Sequence, residues 1–381
     1  MVYFNKAQRS FRDRVRAFAR TELASGAQER AKLDHVTPEV LKKLSDEGFF
    51  ALTIPSEYGG DPKDCITIGI AFEEINAVDF SPFSLMLSHI LMPLMLQWAE
   101  EDLRAEWLPA LGRCKKLVCF ANTEPDCGSD AAAIKMRAVR DGDFYIINGE
   151  KTSISGGMQA DAVLLTAKTD PKAGAKGVTC FFVPLTLHGI TRSRFHDMGA
   201  APSGRASLTF SDVRVPAESR VGAEGEGFTK VIHNFDFARV LVALAGVGMA
   251  EQSLSEVIGY VKERKVFGNP LSRFEGISFK LAEIATFIEA SRLLCYNALK
   301  LRDEGLPHSE AVSMAKWYST ASVARSIHDI LLIFGHKGYS NALPIEQRFR
   351  DAMSLKIGDG TAEIMKLIIA RQILGEKINP L

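Results

Sequence analysis

A short acidic segment near the end of the chain carries the residue types that base catalysis needs. Asp359 stands between Gly358 and Gly360, and Thr361 follows at once, ahead of an amphipathic stretch. Glycines let the backbone approach a ligand closely, and a threonine N-cap leaves free backbone N–H groups at the start of its helix. The carboxylate could act as a general base or merely cap the helix with its charge, and capping is the better interpretation of this segment taken alone.

Five other polar or glycine-rich segments could contribute to a binding site. Each also has an ordinary structural explanation as a loop, a solvated charge or a helix end, so none indicates a function by itself. In chain order they span residues 120–130, 150–157, 234–239, 263–271 and 334–339.

The elements that must position these segments begin with helices. Up to about residue 118, apolar residues recur at helical spacing, and Thr37 followed by Pro38 predicts the start of one helix. Short runs of β-branched and aromatic residues come next, separated by Gly, Pro and Asp, and they predict strands. The Asp-Gly pair at 141–142 and the Asn-Gly pair at 148–149 are predicted hairpin turns.

Helical spacing returns from about residue 226 to the end of the chain, and Ser309 is the predicted N-cap of one helix there. Long antiparallel helices with short connections are typical of a four-helix bundle, and several short strands are typical of a small barrel or sandwich. We therefore predict an α+β multidomain protein. It has an N-terminal all-α domain at 1–118, a middle β-barrel or sandwich domain at 119–225 and a C-terminal four-helix bundle at 226–381.

The composition argues against several classes of partner. The chain has 381 residues, and its 46 basic side chains equal its 46 acidic ones, so charge gives no reason to expect binding to nucleic acid or to an anionic membrane. The longest uncharged apolar run, Val240 to Ala250, is much shorter than the roughly 20 residues that a membrane span needs. We therefore expect no membrane insertion.

The cysteines and the first residues of the chain bear on its location. The six cysteines are scattered, without a Cys-x-x-Cys pair, and predict reduced, mostly buried thiols instead of a disulfide framework or a metal site. The first residues lack the apolar region of a signal peptide and are expected to form a helix. The expected location is cytoplasmic.

Taken together and in order, these segments resemble the acyl-CoA dehydrogenase family over essentially the whole chain. The most specific matches are Thr123-Glu124-Pro125 with Gly128-Ser129-Asp130, Arg264-Lys265-Val266-Phe267-Gly268, and Gly360-Thr361 before Leu367-Ile368-Ile369-Ala370-Arg371. The resemblance implies the acyl-CoA dehydrogenase fold, FAD as cofactor and an acyl-CoA thioester as substrate. It also implies an electron-transferring flavoprotein as electron acceptor and a homotetramer, with a dimer as the alternative.

The resemblance assigns the chemistry to a few positions. Asp359 falls on the catalytic base, which takes the α-proton of the thioester while the β-hydrogen leaves as a hydride to flavin N5. In the family, the thioester carbonyl accepts hydrogen bonds from a flavin ribityl hydroxyl and from the backbone N–H of the base residue. The implied substrate contacts are Ser129, Phe235, Asp236, Arg239, Gly358 and Gly360.

The implied cofactor contacts are divided between two subunits. Thr123 and Ser155 would lie at the flavin ring, whereas Arg264 would meet the pyrophosphate of a neighbouring subunit's FAD, since a bidentate cation suits phosphate. The full set is Phe120, Asn122, Thr123, Ser129, Ser153, Ser155, Arg264, Phe267, Glu275, Leu332, Gly335, His336, Thr361 and Glu363.

The chain departs from the family pattern at the acyl site. The usual base is Glu, so Asp359 is one methylene shorter, while Gly358 stands where a bulky residue is common and Ser153 replaces a frequent Trp. A displacement of about 1 Å can cost on the order of 100-fold in rate, so we expect the substrate or the backbone to be repositioned. The lost volume predicts a wide, α-substituted or ring-bearing acyl group, as in cyclohexanecarboxyl-CoA.

Two further departures concern the ends of the ligand site. The predicted pocket residues Leu87, His89, Leu91 and Met92 include no arginine, which disfavours a dicarboxylyl substrate such as glutaryl-CoA. At the adenine end, amide or glycine residues common in the family are replaced, here by Glu275, Leu332 and His336.

Three alternative functions remain open from the sequence. One is a short-chain linear acyl-CoA dehydrogenase. Another is a nitroalkane-oxidase-like flavin oxidase, because such oxidases of this superfamily also use Asp as the base; Ser129 and Arg239 argue against it, since a CoA-free substrate does not need them. The third is a helical scaffold that has lost the flavin, which the intact base and flavin loops disfavour.

Overall fold

The computed structural model describes residues 4–376 of the chain, apart from the side chains of residues 231–233. Helices form the first part of the fold. They are α1 (Lys6–Phe18), α2 (Ala27–Arg30), α3 (Pro38–Asp46), α4 (Cys65–Val78), α5 (Phe83–Leu96) and α6 (Glu101–Gly112). Thr37 is the N-cap of α3, and its side chain accepts a hydrogen bond from the N–H of Val40, which confirms the predicted helix start.

A β domain follows these helices. Its strands are β1 (Val118–Ala121), β2 (Arg137–Asp141), β3 (Phe144–Ile154), β4 (Ala162–Lys168), β5 (Val178–Pro184), β6 (Ile190–Arg194), β7 (Ala206–Pro216) and β8 (Arg220–Val221). They form one mixed sheet in the order β6-β7-β3-β2-β4-β5-β8, and β1 pairs in parallel with β4. β2 and β4 are joined only through the pair Arg137–Lys168, so the sheet has two halves.

The two halves of the sheet enclose a core of their own. Tyr145 of β3 and Phe181 of β5 are not neighbours in the strand order, yet their ring centroids lie 4.8 Å apart. The other face of β5 packs on the N-terminal helices, where the rings of Phe182 and Trp107 of α6 are 4.7 Å apart. Because β4 and β5 are buried on both faces, their sequences are apolar except at Thr166, Lys168 and Thr179.

The C-terminal part of the fold is a helical bundle. Its elements are α7 (Gly227–Glu263), β9 (Lys265–Val266), β10 (Asn269–Pro270), α8 (Glu275–Asp303), α9 (Ser309–Phe334), α10 (His336–Tyr339), α11 (Ile345–Ile357) and α12 (Ala362–Leu374). Strands β9 and β10 form a small hairpin. Helix α9 packs against α7, α8, α11 and α12, so it is the centre of the bundle. The predicted fold class is confirmed.

Helix α7 runs through the core of the protein. It is the one helix among the described residues that is long and apolar enough to cross a membrane, and 87% of its most apolar window is buried within the protein. A bundle helix surrounded by other helices shows this burial, because its apolar surface is covered by protein.

The cysteines bear no cross-links. All six are free thiols, and four of them are buried. Within residues 4–376, apart from the undescribed side chains of residues 231–233, no group of three or more His, Cys, Asp or Glu side chains could hold a metal ion.

Two local predictions were wrong. Asn148 and Gly149 lie inside β3, where the register with β7 shifts, because a glycine with φ of 138° allows a bulge. A Cβ at Gly149 would lie 3.0 Å from Cα of Met136, so the close approach also requires glycine. Ser309 is the first residue of α9 and not its N-cap, which is His308; its hydroxyl bonds elsewhere, as described below.

Candidate active site

A cavity of about 590 Å³ lies where the three parts of the chain meet. Helix α5, the loops after β1 and at the end of β3, the segment 197–205, α7 and the α11–α12 connection all contribute to its wall. The predicted site residues that line it are Phe120, Asn122, Thr123, Ser129, Ser153, Ser155, Phe235, Arg239, Gly358, Asp359, Gly360 and Thr361. Segments far apart in the sequence therefore converge on one site.

Asp359 lies in the tight connection between α11 and α12. Gly358 is the C-cap of α11, and Thr361 is the N-cap of α12, its side chain accepting a hydrogen bond from the N–H of Ile364 as predicted. Asp359 has a φ of 55° and Gly360 a φ of 103°, so both adopt left-handed conformations that most residues avoid. The connection turns sharply enough to leave a carboxylate at the cavity wall.

A buried lysine holds the backbone on both sides of this carboxylate. Lys316 of α9 is 1% exposed. Its Nζ donates to the carbonyl oxygens of Leu355, Gly358 and Gly360 at 2.7, 2.9 and 3.1 Å. The three N–H groups of an ammonium are thus all satisfied. The sequence analysis missed Lys316, although a lysine within the buried stripe of a helix is a signal that could have found it.

Arg239 of α7 holds the same loop from another side. Its Nε donates to the carbonyl oxygen of Asp359 at 3.0 Å, and its Nη1 donates to Asp236 at 2.8 Å. The second carboxylate oxygen of Asp236 accepts a hydrogen bond from the hydroxyl of Ser309. Both residues are predicted substrate contacts. Arg239 lines the cavity, whereas Asp236 is buried, is not part of the cavity wall and orients the guanidinium.

The electrostatic surroundings suit a general base. Burial raises the pKa of the Asp359 carboxyl above its ordinary value, and the positive charges of Lys316 and Arg239 oppose that shift. Burial in turn lowers the pKa of Lys316 to about 8, against the effect of the Asp359 charge. A desolvated carboxylate at a cavity wall, still ionisable because cations are near, is the environment in which acids act as bases.

The loops after β1 and at the end of β3 present unused hydrogen-bonding groups to the cavity. Thr123, Ser129 and Ser155 line it, and their hydroxyls have no hydrogen-bond partner among residues 4–376, leaving out the side chains of residues 231–233. In the same described part of the chain, the backbone N–H of Thr123 donates to no backbone carbonyl. Such groups beside an apolar wall fit the polar edge of a flavin ring, so these residues fit FAD.

A buried ion pair stabilises the loop after β1. Lys151 of β3 is fully buried, and its Nζ donates to the carbonyl oxygen of Asn122 and to the carboxylate of Glu124, both at 2.8 Å. The same carboxylate accepts hydrogen bonds from the backbone N–H groups of Lys135 and Met136 at 2.5 and 3.0 Å. The charges are paired and fully hydrogen-bonded, which buried charges require.

Ser153 faces a second ion pair at the cavity wall. Its hydroxyl accepts a hydrogen bond from Arg205 at 3.2 Å, and Arg205 also donates to Asp197 at 2.8 Å. Both Arg205 and Asp197 line the cavity, and neither was singled out from the sequence. The space beside Ser153 is therefore bordered by an arginine whose charge is balanced by Asp197.

The remaining predicted cofactor residues lie outside this cavity. Arg264 is roughly 38 Å from Arg239 along α7, at about 1.5 Å per residue. Phe267 is 95% exposed and Leu332 is 60% exposed. The exposed predicted residues away from the cavity are Arg264, Phe267, Glu275, Leu332, Gly335, His336 and Glu363.

Helix α5 forms the apolar side of the cavity. Leu87, Leu91 and Met92 line it as predicted, but the prediction for His89 was wrong. The His89 side chain is fully buried, and its ring nitrogens lie 2.8 and 3.1 Å from two main-chain carbonyl oxygens. A residue two positions from Leu87 and from Leu91 points to another face of the helix.

A buried carboxylate ties the cavity wall to α11. Oδ1 of Asp351 accepts hydrogen bonds from the N–H of Ala200 at 2.6 Å and from Nε2 of Gln347 at 2.8 Å. Burial raises the pKa of Asp351 from 3.8 to about 6. The folded protein therefore binds this proton more tightly than the unfolded chain does. The resulting stability is fully present below pH 3.8 and is lost as the pH rises through about 6.

Replacing this carboxyl should change how stability depends on pH. We expect Asp351→Asn to be more stable relative to the unsubstituted protein at pH 8 than at pH 4, by up to roughly 3 kcal/mol, because the amide cannot ionise. Calorimetric Tm values between pH 4 and 8 measure this difference. Asp143→Asn, at an exposed turn, is the control and should show no such trend. A Tm difference for Asp351→Asn that is constant with pH would contradict the expectation.

Comparison with known proteins finds matches along nearly the whole chain. Three family models match consecutive parts of the chain: the acyl-CoA dehydrogenase N-terminal domain at residues 5–115, the middle domain at 119–213 and the C-terminal domain at 225–374. An acyl-CoA dehydrogenase of Bacillus subtilis (strain 168) is 32% identical over 98% of this chain and 100% of its own.

Solved structures show the same similarity in three dimensions. Butyryl-CoA dehydrogenase from Megasphaera elsdenii is 31% identical with a TM-score of 0.93, covering 97% of this chain and 99% of its own. A structure from work on the electron transferring flavoprotein of Acidaminococcus fermentans and flavin-based electron bifurcation is 32% identical with a TM-score of 0.94. It covers 98% of this chain and 99% of its own.

Proposed function

The chain belongs to the acyl-CoA dehydrogenase family, and from that membership we propose that it oxidises an alicyclic or α-branched acyl-CoA thioester between Cα and Cβ. It is an FAD-dependent oxidoreductase that acts on acyl-CoA esters. The observation that carries the proposal is the cavity wall at Asp359, where a desolvated carboxylate adjoins a backbone with no bulky side chain.

Asp359 is the base that takes the proton from Cα. As the proton leaves, negative charge develops on the thioester carbonyl oxygen, which needs hydrogen-bond donors. The backbone N–H of Asp359 is suited to this role, because within residues 4–376 it donates to no backbone carbonyl. When bound, FAD supplies the acceptor for the hydride that leaves Cβ, and an electron-transferring flavoprotein receives the electrons.

We infer a wide acyl group from the free space beside Gly358. This residue has φ −63° and ψ 154°, an extended conformation that any residue adopts, so the backbone does not require glycine there. A Cβ built on Gly358 would have Ser354 O as its nearest neighbour, at 3.6 Å. The space that a larger side chain could fill is therefore open to the ligand, and Leu91 and Val242 supply apolar wall to the same cavity.

Filling this space should change which ester is preferred. We expect the unsubstituted protein to oxidise cyclohexanecarboxyl-CoA with a higher kcat/KM than butyryl-CoA or octanoyl-CoA. In Gly358→Tyr the ratio of cyclohexanecarboxyl-CoA to butyryl-CoA should fall by about 10- to 100-fold, since loss of fit in an apolar pocket costs roughly 1–3 kcal/mol. Steady-state rates with an artificial electron acceptor provide the measurement.

The control is Gly259→Ala, on α7 where an added Cβ meets nothing within 4 Å, and it should leave the ratio unchanged. Preference of the unsubstituted protein for a linear ester would replace the proposed substrate with a short- or medium-chain one. Oxygen consumption with a nitroalkane and no turnover of any thioester would point to an oxidase instead.

We also propose that the cofactor site is completed by a second copy of the chain in a homotetramer. The support is the position of two exposed residues: Arg264, roughly 38 Å along α7 from Arg239, and Phe267, in the turn of the β9–β10 hairpin that follows. A large exposed aromatic side chain is favoured where a partner covers it. The electron acceptor that fits the family relationship is an electron-transferring flavoprotein.

A further inference from the structure

We infer that Lys316 is a positioning residue for proton abstraction, which fixes the peptide groups around Asp359 so that the backbone N–H of Asp359 faces the thioester carbonyl. The inference rests on the proposed function, because it names the residue that orients the donor and the base of that reaction. Lys316 lies on α9, whose main contacts are with other helices of the bundle, and it does not line the cavity. Lys316 therefore acts on the α11–α12 connection and on Asp359 without contacting a ligand in the cavity.

The orientation follows from the planarity of the peptide bond. In a trans peptide the C=O of one residue and the N–H of the next point in opposite directions within one plane. Lys316 holds the C=O of Gly358, so the N–H of Asp359 must point away from the ammonium. Arg239 holds the C=O of Asp359 and fixes the N–H of Gly360 in the same way. Two cations thus determine the direction of two consecutive donors.

The contact with Leu355 extends this support to the preceding helix. The last carbonyl groups of a helix lack intrahelical partners, and Leu355 lies in the last turn of α11. Lys316 satisfies that carbonyl at 2.7 Å and Gly360 O at 3.1 Å, so one ammonium spans the connection from the end of α11 to the residue before Thr361. A cation on a peptide carbonyl also strengthens the N–H of the same peptide group as a donor.

The charge of Lys316 acts on the base as well as on the backbone. The charged groups that shift the titration of Asp359 are Lys316 from α9 and Arg239 from α7, and Arg239 is itself paired with Asp236. Lys316 is then the cation near Asp359 that has no carboxylate partner within 4.0 Å in the described part of the chain. Its removal should favour the protonated form of Asp359.

The test compares Lys316→Met, which removes charge and donors, with Lys316→Gln, which removes the charge but keeps an N–H₂ donor. Ser319→Ala is the control, since Ser319 is buried on the same helix and its hydroxyl contacts Ser291 O at 3.4 Å, away from the loop. The FAD-loaded proteins are assayed with cyclohexanecarboxyl-CoA and butyryl-CoA from pH 6 to 9. FAD content and Tm are measured alongside.

For Lys316→Met we expect kcat to fall by about 100-fold with a smaller change in KM, because the reacting groups are displaced while the rest of the ester still binds. The acidic limb of the kcat profile should move up by about one pH unit or more, since an opposite charge near Asp359 is lost. Lys316→Gln should lose less in kcat and show the same displacement of the limb. Ser319→Ala should keep both the rate and the profile.

A purely structural role of Lys316 predicts a different result. Folded Lys316→Met with kcat within threefold of the unsubstituted protein would overturn the inference, and so would a lower kcat with an unmoved acidic limb. If neither Lys316→Met nor Lys316→Gln folded, the residue would serve the fold and the specific role would be refuted. Absence of ester turnover by the unsubstituted protein would instead remove the proposed function, and the inference with it.

Discussion

Replacing Asp359 with Asn is expected to reduce the turnover of acyl-CoA esters by on the order of 10²–10⁴-fold, because an amide cannot accept the α-proton. Asn matches Asp in size and tolerates the left-handed conformation found here, so the loop should keep its shape. Anaerobic loss of the oxidised flavin absorbance on mixing with cyclohexanecarboxyl-CoA measures the step directly. Asp143→Asn, at an exposed position that does not line the cavity, should bleach as fast as the unsubstituted protein.

The pH dependence of this step has a definite sign. Burial raises the pKa of Asp359, and the base acts only in its ionised form, so the rate should fall as the pH falls through that raised value. In Asp359→Asn the remaining rate should no longer fall as the pH is lowered through this range. Bleaching by Asp359→Asn at the original rate would show that another group takes the proton.

The second large effect is expected on stability, from Lys151→Met. The substitution leaves the carboxylate of Glu124 buried without its cation, and breaking one partner of a buried pair costs about 3–5 kcal/mol. The loop that carries Asn122 should also loosen, because its carbonyl loses the Lys151 donor, so FAD content should fall. Denaturant unfolding followed by tryptophan fluorescence and the flavin absorbance of the purified protein measure the two effects.

Lys135→Met is the matched control for this prediction. Lys135 lies in the same region and pairs with Asp126, but both side chains are 73% exposed, and such pairs contribute at most about 1 kcal/mol. The double substitution Lys151→Met with Glu124→Gln should recover part of the loss, because no charge then stays buried without its partner. The recovery should be incomplete, since the N–H groups of Lys135 and Met136 bond to different oxygens of Glu124 and an amide offers only one accepting oxygen. Equal destabilisation by Lys151→Met and Lys135→Met would contradict the role assigned to the buried pair.

The order of elements could be predicted because it depends on periodicity and capping chemistry that act locally. Thr37 and Thr361 are N-caps in the structure, as their positions before apolar helical patterns indicated. The hairpin turn predicted at the Asn-Gly pair 148–149 was wrong, because the conformational freedom of glycine that closes a hairpin also permits a bulge within a strand. Local residue preference does not tell these two uses apart.

The candidate site was predictable only where its residues belong to recognisable segments. Asp359 and Thr123 lie in such segments and line the cavity. Lys316 and Arg205 reach the site from elements that carry no motif, so only the packing of α9 and the start of β7 reveals them. His89 shows the opposite case: it lies between two cavity residues in the sequence, yet the helical rotation turns it into the core.

Because the cavity is bounded by all three parts of the chain, a bound ligand couples the stability of each part to that of the others. Some compounds can bind only when α5, the β-domain loops and the α11–α12 connection are packed together. Such a compound raises the population of the closed protein relative to partly opened forms. Each tenfold rise in the concentration of free compound above its dissociation constant then adds about 1.4 kcal/mol to the free energy of opening. The protein should therefore resist heat better with its cavity filled than with it empty.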